Sequence, residues 1–161
     1  AMSIQIELTV NGQHRILDVE PDQTLVDVLR GKFGLTGTKK GCGEGRCGSC
    51  TVLLDAKPVY SCLLLAVQAD GARITTIEGV GSAEPDPLQV SFAEKGAIQC
   101  GYCTPGIILT AKALLEEDPC PDEDEVKRAI AGHLCRCTGY IKIVDAISAV
   151  RRSHTASLSV G

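Results

Sequence analysis

Hydrophobic and polar residues alternate from Ile4 to Val10, with Ile4, Ile6, Leu8 and Val10 on one face, and they alternate again from His14 to Val19. Asn11-Gly12 between the two runs suits a tight turn, so the pattern predicts a β-hairpin. Pro21-Asp22 breaks the second strand, and Leu25, Val28 and Leu29 then recur at helical spacing until Gly31 and Gly34. Gly37, Gly41, Gly43, Gly45 and Gly48 follow before Cys50, too dense a run for helix or strand. That stretch is an ordered or ligand-wrapped loop. Strand signals return at Thr51 to Leu54, Val59 to Ser61 and Ile74 to Ile77. The first half is therefore a small mixed sheet with one helix packed on it.

After Gly79 the pattern changes to helix throughout. Gly81-Ser82-Ala83-Glu84-Pro85-Asp86-Pro87 has linker composition and places a domain boundary between 1–80 and 81–161. Leu88 to Lys95 reads as one short helix. Thr104-Pro105, an N-cap followed by proline, opens a second that runs to about Glu117 before Pro119 and Pro121 stop it. Asp122 with Glu125 resembles a capping box for a third helix ending at Gly132. Thr138 can cap a fourth, whose Tyr140, Ile143, Val144, Ile147 and Val150 form an apolar stripe. Four helices imply a small bundle, and the polar tail from Ser153 to Gly161 is open to fraying or to docking on a partner.

Composition sharpens this. In 161 residues, 44% are hydrophobic but only 3% aromatic, with no Trp, so the core rests on Ile, Leu, Val and Ala. A net charge of −4 gives no basic footprint for nucleic acid and no polybasic membrane patch. Leaving aside Ala1 ahead of Met2, the segment to Val10 has neither a basic n-region nor an apolar h-region, and no apolar run reaches membrane-spanning length. The expectation is a cytoplasmic protein.

Nine cysteines are the main chemical signal. Cys42, Cys47 and Cys50 have the plant-type ferredoxin spacing of a loop that wraps a [2Fe-2S] cluster, and Cys62 follows eleven residues after Cys50. Glycines at 41, 43, 45 and 48 let backbone N–H groups approach anionic sulfurs without a Cβ in the way. A tetrahedral zinc site is the competing reading. Cys100-x2-Cys103 and Cys135-x-Cys137 form a second set, each pair ahead of a helix, where N–H groups and the helix dipole favour thiolates. Local disulfides or a redox C-x-x-C compete there. Cys120, between two prolines, reads as an incidental thiol. His133 reads as a surface or helix-end residue, since a Rieske-type centre would need two histidines in C-x-H motifs. Lys39, Lys40 and Arg46 either offset cluster charge or form a solvated basic rim.

Three motifs then converge. Gly41-Cys42-Gly43-Glu44-Gly45-Arg46-Cys47-Gly48-Ser49-Cys50-Thr51-Val52, Gln99-Cys100-Gly101-Tyr102-Cys103-Thr104-Pro105-Gly106 and Leu134-Cys135-Arg136-Cys137-Thr138-Gly139-Tyr140 resemble the iron–sulfur small subunit of the xanthine oxidase family of molybdenum hydroxylases. The resemblance spans about Ile4 to Arg152. It implies an α+β chain: an N-terminal β-grasp, plant-type ferredoxin-like domain holding one [2Fe-2S] cluster on Cys42, Cys47, Cys50 and Cys62, then a small four-helix-bundle domain holding another on Cys100, Cys103, Cys135 and Cys137. It implies a large partner subunit carrying molybdopterin, as the cytosine dinucleotide in many bacteria, and a medium subunit carrying FAD, in a heterotrimer or a dimer of heterotrimers. By the family pattern Gln99 hydrogen-bonds the pterin and Cys137 lies at its edge. The family has Asn where His133 stands, so His133 receives no cofactor contact.

The expected function is electron transfer, with single electrons passing from the molybdopterin centre through both clusters to FAD and no substrate chemistry on this chain. A diffusing ferredoxin-like carrier and a zinc-bound interaction module are the other classes considered.

Overall fold

The computed structural model describes residues 2–81 and 83–158. Strands β1 (Ile4–Val10) and β2 (Gln13–Val19) pair antiparallel, Ile4 opposite Val19 and Val10 opposite Gln13. Asn11 and Gly12 both take positive φ (50° and 78°), as a twist-matched two-residue hairpin turn requires. Ile6, Leu8 and Val10 are buried as the alternation demands, whereas Ile4 at the strand end is exposed. Helix α1 (Leu25–Gly31) follows, burying Leu25, Val26, Val28 and Leu29.

After the glycine loop come β3 (Thr51–Leu54), β4 (Lys57–Tyr60) and β5 (Arg73–Thr75). The sheet order is β2-β1-β5-β3-β4, with β5 parallel to β1 and antiparallel to β3. This is the expected β-grasp: α1 lies across the sheet, and its Leu25, Val28 and Leu29 share one core with Ile6, Leu8, Val19, Val52 and Ile74. The strands start or end within about two residues of the sequence expectation, with β4 beginning at Lys57 and β5 ending at Thr75.

The second half is helical: α2 (Pro87–Glu94), α3 (Thr104–Glu117), α4 (Glu123–Ile130) and α5 (Ile141–Leu158). They surround a core of Leu88, Phe92, Ile107, Ile108, Val126, Ile130, Ile143, Val144, Ile147 and Val150. The capping box at Asp122 and Glu125 forms as predicted, and Asp86 with Gln89 makes a second that caps α2. Two expected caps do not form. Cys103, not Thr104, is the residue before α3, and Thr104 is its first helical residue. Tyr140 precedes α5, accepting the Val144 N–H on its carbonyl, while Thr138 turns its hydroxyl toward Cys135. The stretch read as a polar tail is helical through Leu158; its last residues, 159–161, lie outside the described residues, as do Ala1 and Ser82.

Helix α3 joins the halves. Leu109 packs with Leu53 of β3 and with Val80, and the α3 backbone comes close to the glycine loop. A Cβ on Gly106 would lie 2.5 Å from the Gly48 carbonyl oxygen, a backbone atom that cannot swing aside. Gly106→Ala is therefore expected to destabilise the protein by about 1–3 kcal/mol. Gly31→Ala, where a Cβ meets nothing within 4 Å, is expected to stay within about 0.5 kcal/mol of the parent. Thermal unfolding of the two variants checks the contrast.

Candidate iron–sulfur sites and the seam between them

The β3–β4 hairpin gathers half of the first cysteine set. Thr51 pairs with Tyr60, so Cys50 just before β3 and Cys62 just after β4 meet at the open end. The Ser61 N–H and hydroxyl both reach the Cys50 carbonyl, at 3.3 and 2.6 Å, and the Cys50 and Cys62 thiols are close enough to hydrogen-bond. The turn that sets this register, Asp55-Ala56, has positive φ at both residues (47° and 69°), with Ala where Asn or Gly is usual.

Cys42 and Cys47 sit in the glycine loop. The N–H groups of Glu44 and Arg46 point at the Cys42 sulfur at 3.4 and 3.3 Å, and the Cys42 N–H points at the Cys47 sulfur at 3.5 Å. Gly43, Gly45 and Gly48 take φ near +70°, the left-handed conformation that turns successive amides inward. These N–H groups bring the Cys42 pKa down to about 6. Burial acts the other way on Cys50 and pushes its thiol up to about 11. A buried thiol of that kind becomes a thiolate when it binds a metal.

The second set assembles from two loops. Cys100 and Cys137 place their sulfurs 3.5 Å apart, and Cys103 and Cys135 are in side-chain hydrogen-bonding reach of each other. Cys103 is buried and pushed up to about 12 by that burial. At Cys135 burial is outweighed by the Thr138 hydroxyl, 3.1 Å from its sulfur, and by backbone N–H groups, which hold the thiol below its ordinary range. Cys100 and Cys137 are exposed, as are Gln99 and the apolar residues Ile98, Tyr102, Leu134 and Ile141 in the segments next to them along the chain.

In both sets the thiols meet in twos. Among the described residues no three His, Cys, Asp or Glu side chains gather as one metal ion needs. Two thiolates for each of two irons is the ligand demand of a [2Fe-2S] cluster, and amides directed at sulfur are its usual surroundings. The residues present fit that group. Cys120 is exposed and bonded through its backbone to Asp118, away from both sets. The basic rim turns outward: Lys40 pairs with Asp27 at 2.8 Å, Arg46 with Glu44 at 3.5 Å, and Lys39 reaches the Thr36 carbonyl.

His133 is a correction. Its expected place at the surface is overturned, because it is 3% exposed and wedged between the halves. Its Nε2 lies 3.1 Å from the hydroxyls of both Thr51 and Thr110, its ring meets that of Tyr60 in a T-shaped contact (centroids 6.3 Å apart, planes at 79°), and a Cβ on Gly48 would come within 2.7 Å of it. Burial holds its pKa below the ordinary imidazole range, so the ring is neutral at physiological pH. The sequence reading also missed what the tyrosines do. There are only three, and each hydroxyl bonds a backbone carbonyl near a cysteine loop: Tyr60 to Gly132, Tyr102 to Lys40 and Tyr140 to His133. Their scarcity in so aromatic-poor a chain was the available signal.

Gly41 carries a prediction. A Cβ there would stand 3.0 Å from the Cys47 sulfur. Gly41→Ala is expected to lower the iron content of the first site and alter its visible absorption while leaving the second unchanged. Equal loss at both sites would contradict the geometry.

Comparison with known proteins agrees with this arrangement. Residues 8–74 match the 2Fe-2S iron-sulfur cluster binding domain, and residues 76–148 match a second [2Fe-2S] binding domain. The nicotinate dehydrogenase small FeS subunit of Eubacterium barkeri is 54% identical, the match covering 89% of this chain and 92% of that protein. The nicotine 6-hydroxylase small subunit of Paenarthrobacter nicotinovorans is 46% identical over 89% of this chain and 87% of its own length. Quinoline 2-oxidoreductase from Pseudomonas putida 86 superposes with a TM-score of 0.91 at 48% identity, over 97% of this chain and 98% of that one. The aldehyde oxidoreductase of Desulfovibrio gigas superposes at 0.90 with 43% identity, over 96% of this chain but 17% of that one. With two cluster-binding domains in the same order, and relatives that match it nearly end to end, this chain belongs to the iron–sulfur small subunits of the xanthine oxidase family of molybdenum hydroxylases.

Proposed function

We propose that this chain carries single electrons from a molybdopterin centre on a large partner subunit to FAD on a medium one. They pass through a [2Fe-2S] cluster held by Cys100, Cys103, Cys135 and Cys137 and then through another held by Cys42, Cys47, Cys50 and Cys62. The observation that carries the reading is the pairing of thiols at both sites, two and two, which suits two irons. Neither site offers a group placed to activate water or accept hydride, so substrate oxidation belongs to the partner. When bound, each cluster supplies a one-electron couple; the chain supplies the thiolates, the inward N–H groups and the seam between the loops.

The exposed face around the second set supports docking to the pterin-bearing subunit. Cys137, Gln99, Ile98, Tyr102, Leu134 and Ile141, in the segments that carry the second set, are exposed, and exposed apolar residues in the segments of an exposed thiol pair suit a buried interface. On this reading Gln99 donates and accepts hydrogen bonds with the pterin, and Cys137 is the ligand nearest it. The D. gigas enzyme, in which this fold makes up 17% of one longer chain, supports placing molybdenum chemistry on protein outside this segment. Domains at 1–80 and 81–161, a cytoplasmic location and an assembly of three kinds of subunit complete the proposal. Among the described residues no helix is long and apolar enough to cross a membrane.

In the purified complex, Cys42→Ser is expected to remove one reduced-state EPR signal, leave the other, and stop electron delivery to flavin. Cys100→Ser is expected to remove the other signal. Loss of both signals in each variant would refute two separate sites.

A further inference from the structure

Thr138 has the sequence position of a helix cap, yet its hydroxyl serves no helix. Tyr140 is the residue before α5, and Thr138 Oγ1 stands 3.1 Å from the Cys135 sulfur. Among the described residues no other proposed ligand sulfur meets a side-chain hydroxyl; Cys42 and Cys47 meet backbone N–H groups instead. We propose that Thr138 sets the reduction potential of the second site, its hydroxyl donating to the Cys135 sulfur and so favouring the reduced state.

A thiolate that ligates iron has no proton to give, so the hydroxyl is the donor of this pair once the site is loaded. Its oxygen is engaged in turn: the Tyr140 N–H donates to Thr138 Oγ1 at 3.2 Å. A hydroxyl that accepts from an amide is a better donor, so the two bonds reinforce each other from the Tyr140 N–H through the Thr138 O–H to the sulfur. Gly139 and Tyr140 take φ +66° and +70°, the left-handed conformation from which the Tyr140 amide reaches back to Thr138. That backbone is uncommon for a tyrosine. The Tyr140 hydroxyl meanwhile accepts the Cys135 N–H at 2.8 Å and donates to the His133 carbonyl at 3.1 Å, which fixes the backbone on which the sulfur is carried. Here the chain forgoes a local cap and holds a residue in a strained conformation, and one hydroxyl rests on one sulfur as a result. Such departures from local preference concentrate at functional positions.

A reduced iron–sulfur site carries one more negative charge than its oxidised form, and part of that charge resides on the ligand sulfurs. A donor aimed at a sulfur therefore stabilises the reduced state more than the oxidised one and raises the potential. One-electron reduction turns a ferric iron ferrous; the Thr138 proton stays on its oxygen, and no covalent bond forms or breaks. Cys135 and Thr138 are half-buried, whereas Cys100 and Cys137 are exposed. Away from bulk water a single hydroxyl counts for more, so Cys135 is the ligand of this set at which it has most effect. On the proposed route the second site receives each electron first, and Thr138 makes that uptake more favourable.

The proposal rests on the ligand sets proposed above, and its test separates the two. The purified complex is titrated with dithionite in the presence of redox mediators, and low-temperature EPR follows each reduced signal against the ambient potential. The second site's signal is the one that Cys100→Ser removes. Thr138→Val keeps the shape of the side chain and removes the hydroxyl. It is expected to lower the midpoint of that signal, so that at the parent's midpoint the ratio of reduced to oxidised second site falls several-fold, while the first midpoint stays in place. Thr138→Ser keeps the hydroxyl and is expected to titrate with the parent. An unmoved second midpoint in Thr138→Val, an equal shift of both signals, or a Thr138→Ser midpoint as low as that of Thr138→Val overturns the proposal. Should Thr138→Val lose the second signal, Thr138→Ala takes its place under the same criteria, and loss of the signal there too overturns tuning in favour of a purely structural role. A parent complex without two signals overturns the ligand sets themselves.

Discussion

The closeness with which the glycine loop 41–48 can lie against helix α3 and the 132–135 segment governs the rest of this structure. Gly48 and Gly106 meet backbone to backbone where neither has room for a methyl group, and the His133 ring fills the space beside them. That approach lets the Cys47 carbonyl accept the Leu134 N–H, so that a residue of the first cysteine set bonds to the segment leading into the second. A looser seam would leave two small domains, each with a marginal core, since the chain has few large side chains with which to fill a wider gap. The three tyrosines are spent on this seam or beside it, where an apolar ring and a polar tip are both needed.

The two sites solve one problem by different local means. Four thiolates and two sulfides are an anionic load that must be met by donors without filling the space they need. In the first site left-handed glycines turn amides toward Cys42 and Cys47, and a tight hairpin supplies Cys50 and Cys62. In the second, short loops ahead of α3 and α5 bring the cysteines together, and the Thr138 hydroxyl with the Thr138 and Cys137 N–H groups provides at Cys135 the donors that the glycine loop provides in the first. The first site is wrapped and the second is open on one face, which suits a route that enters at an interface and leaves elsewhere.

Much of this was legible in the sequence, because it is written in period and spacing. The β1–β2 hairpin announced itself through alternation and Asn11-Gly12, and the cap at Asp122 through Glu125 three residues later. The cysteine sets were readable from spacing together with the glycines between them. What was not legible depended on contacts between distant segments. His133 has nothing around it in sequence to say that Thr51 and Thr110 bury it, and the Asp55-Ala56 turn uses a residue that propensity would not choose. Thr138 and Thr104 looked like caps because local pattern cannot tell a hydroxyl that ends a helix from one turned to a sulfur or drawn into the first turn. In each case tertiary geometry outweighed local preference.

The central claim is that eight thiols hold two binuclear clusters and no single metal ion. Iron, zinc and acid-labile sulfide, measured together on the protein purified without exposure to air, test it most directly. The account predicts iron and sulfide in equal amounts, two of each for every cluster in the chain, with zinc at background. Stoichiometric zinc without sulfide would contradict it.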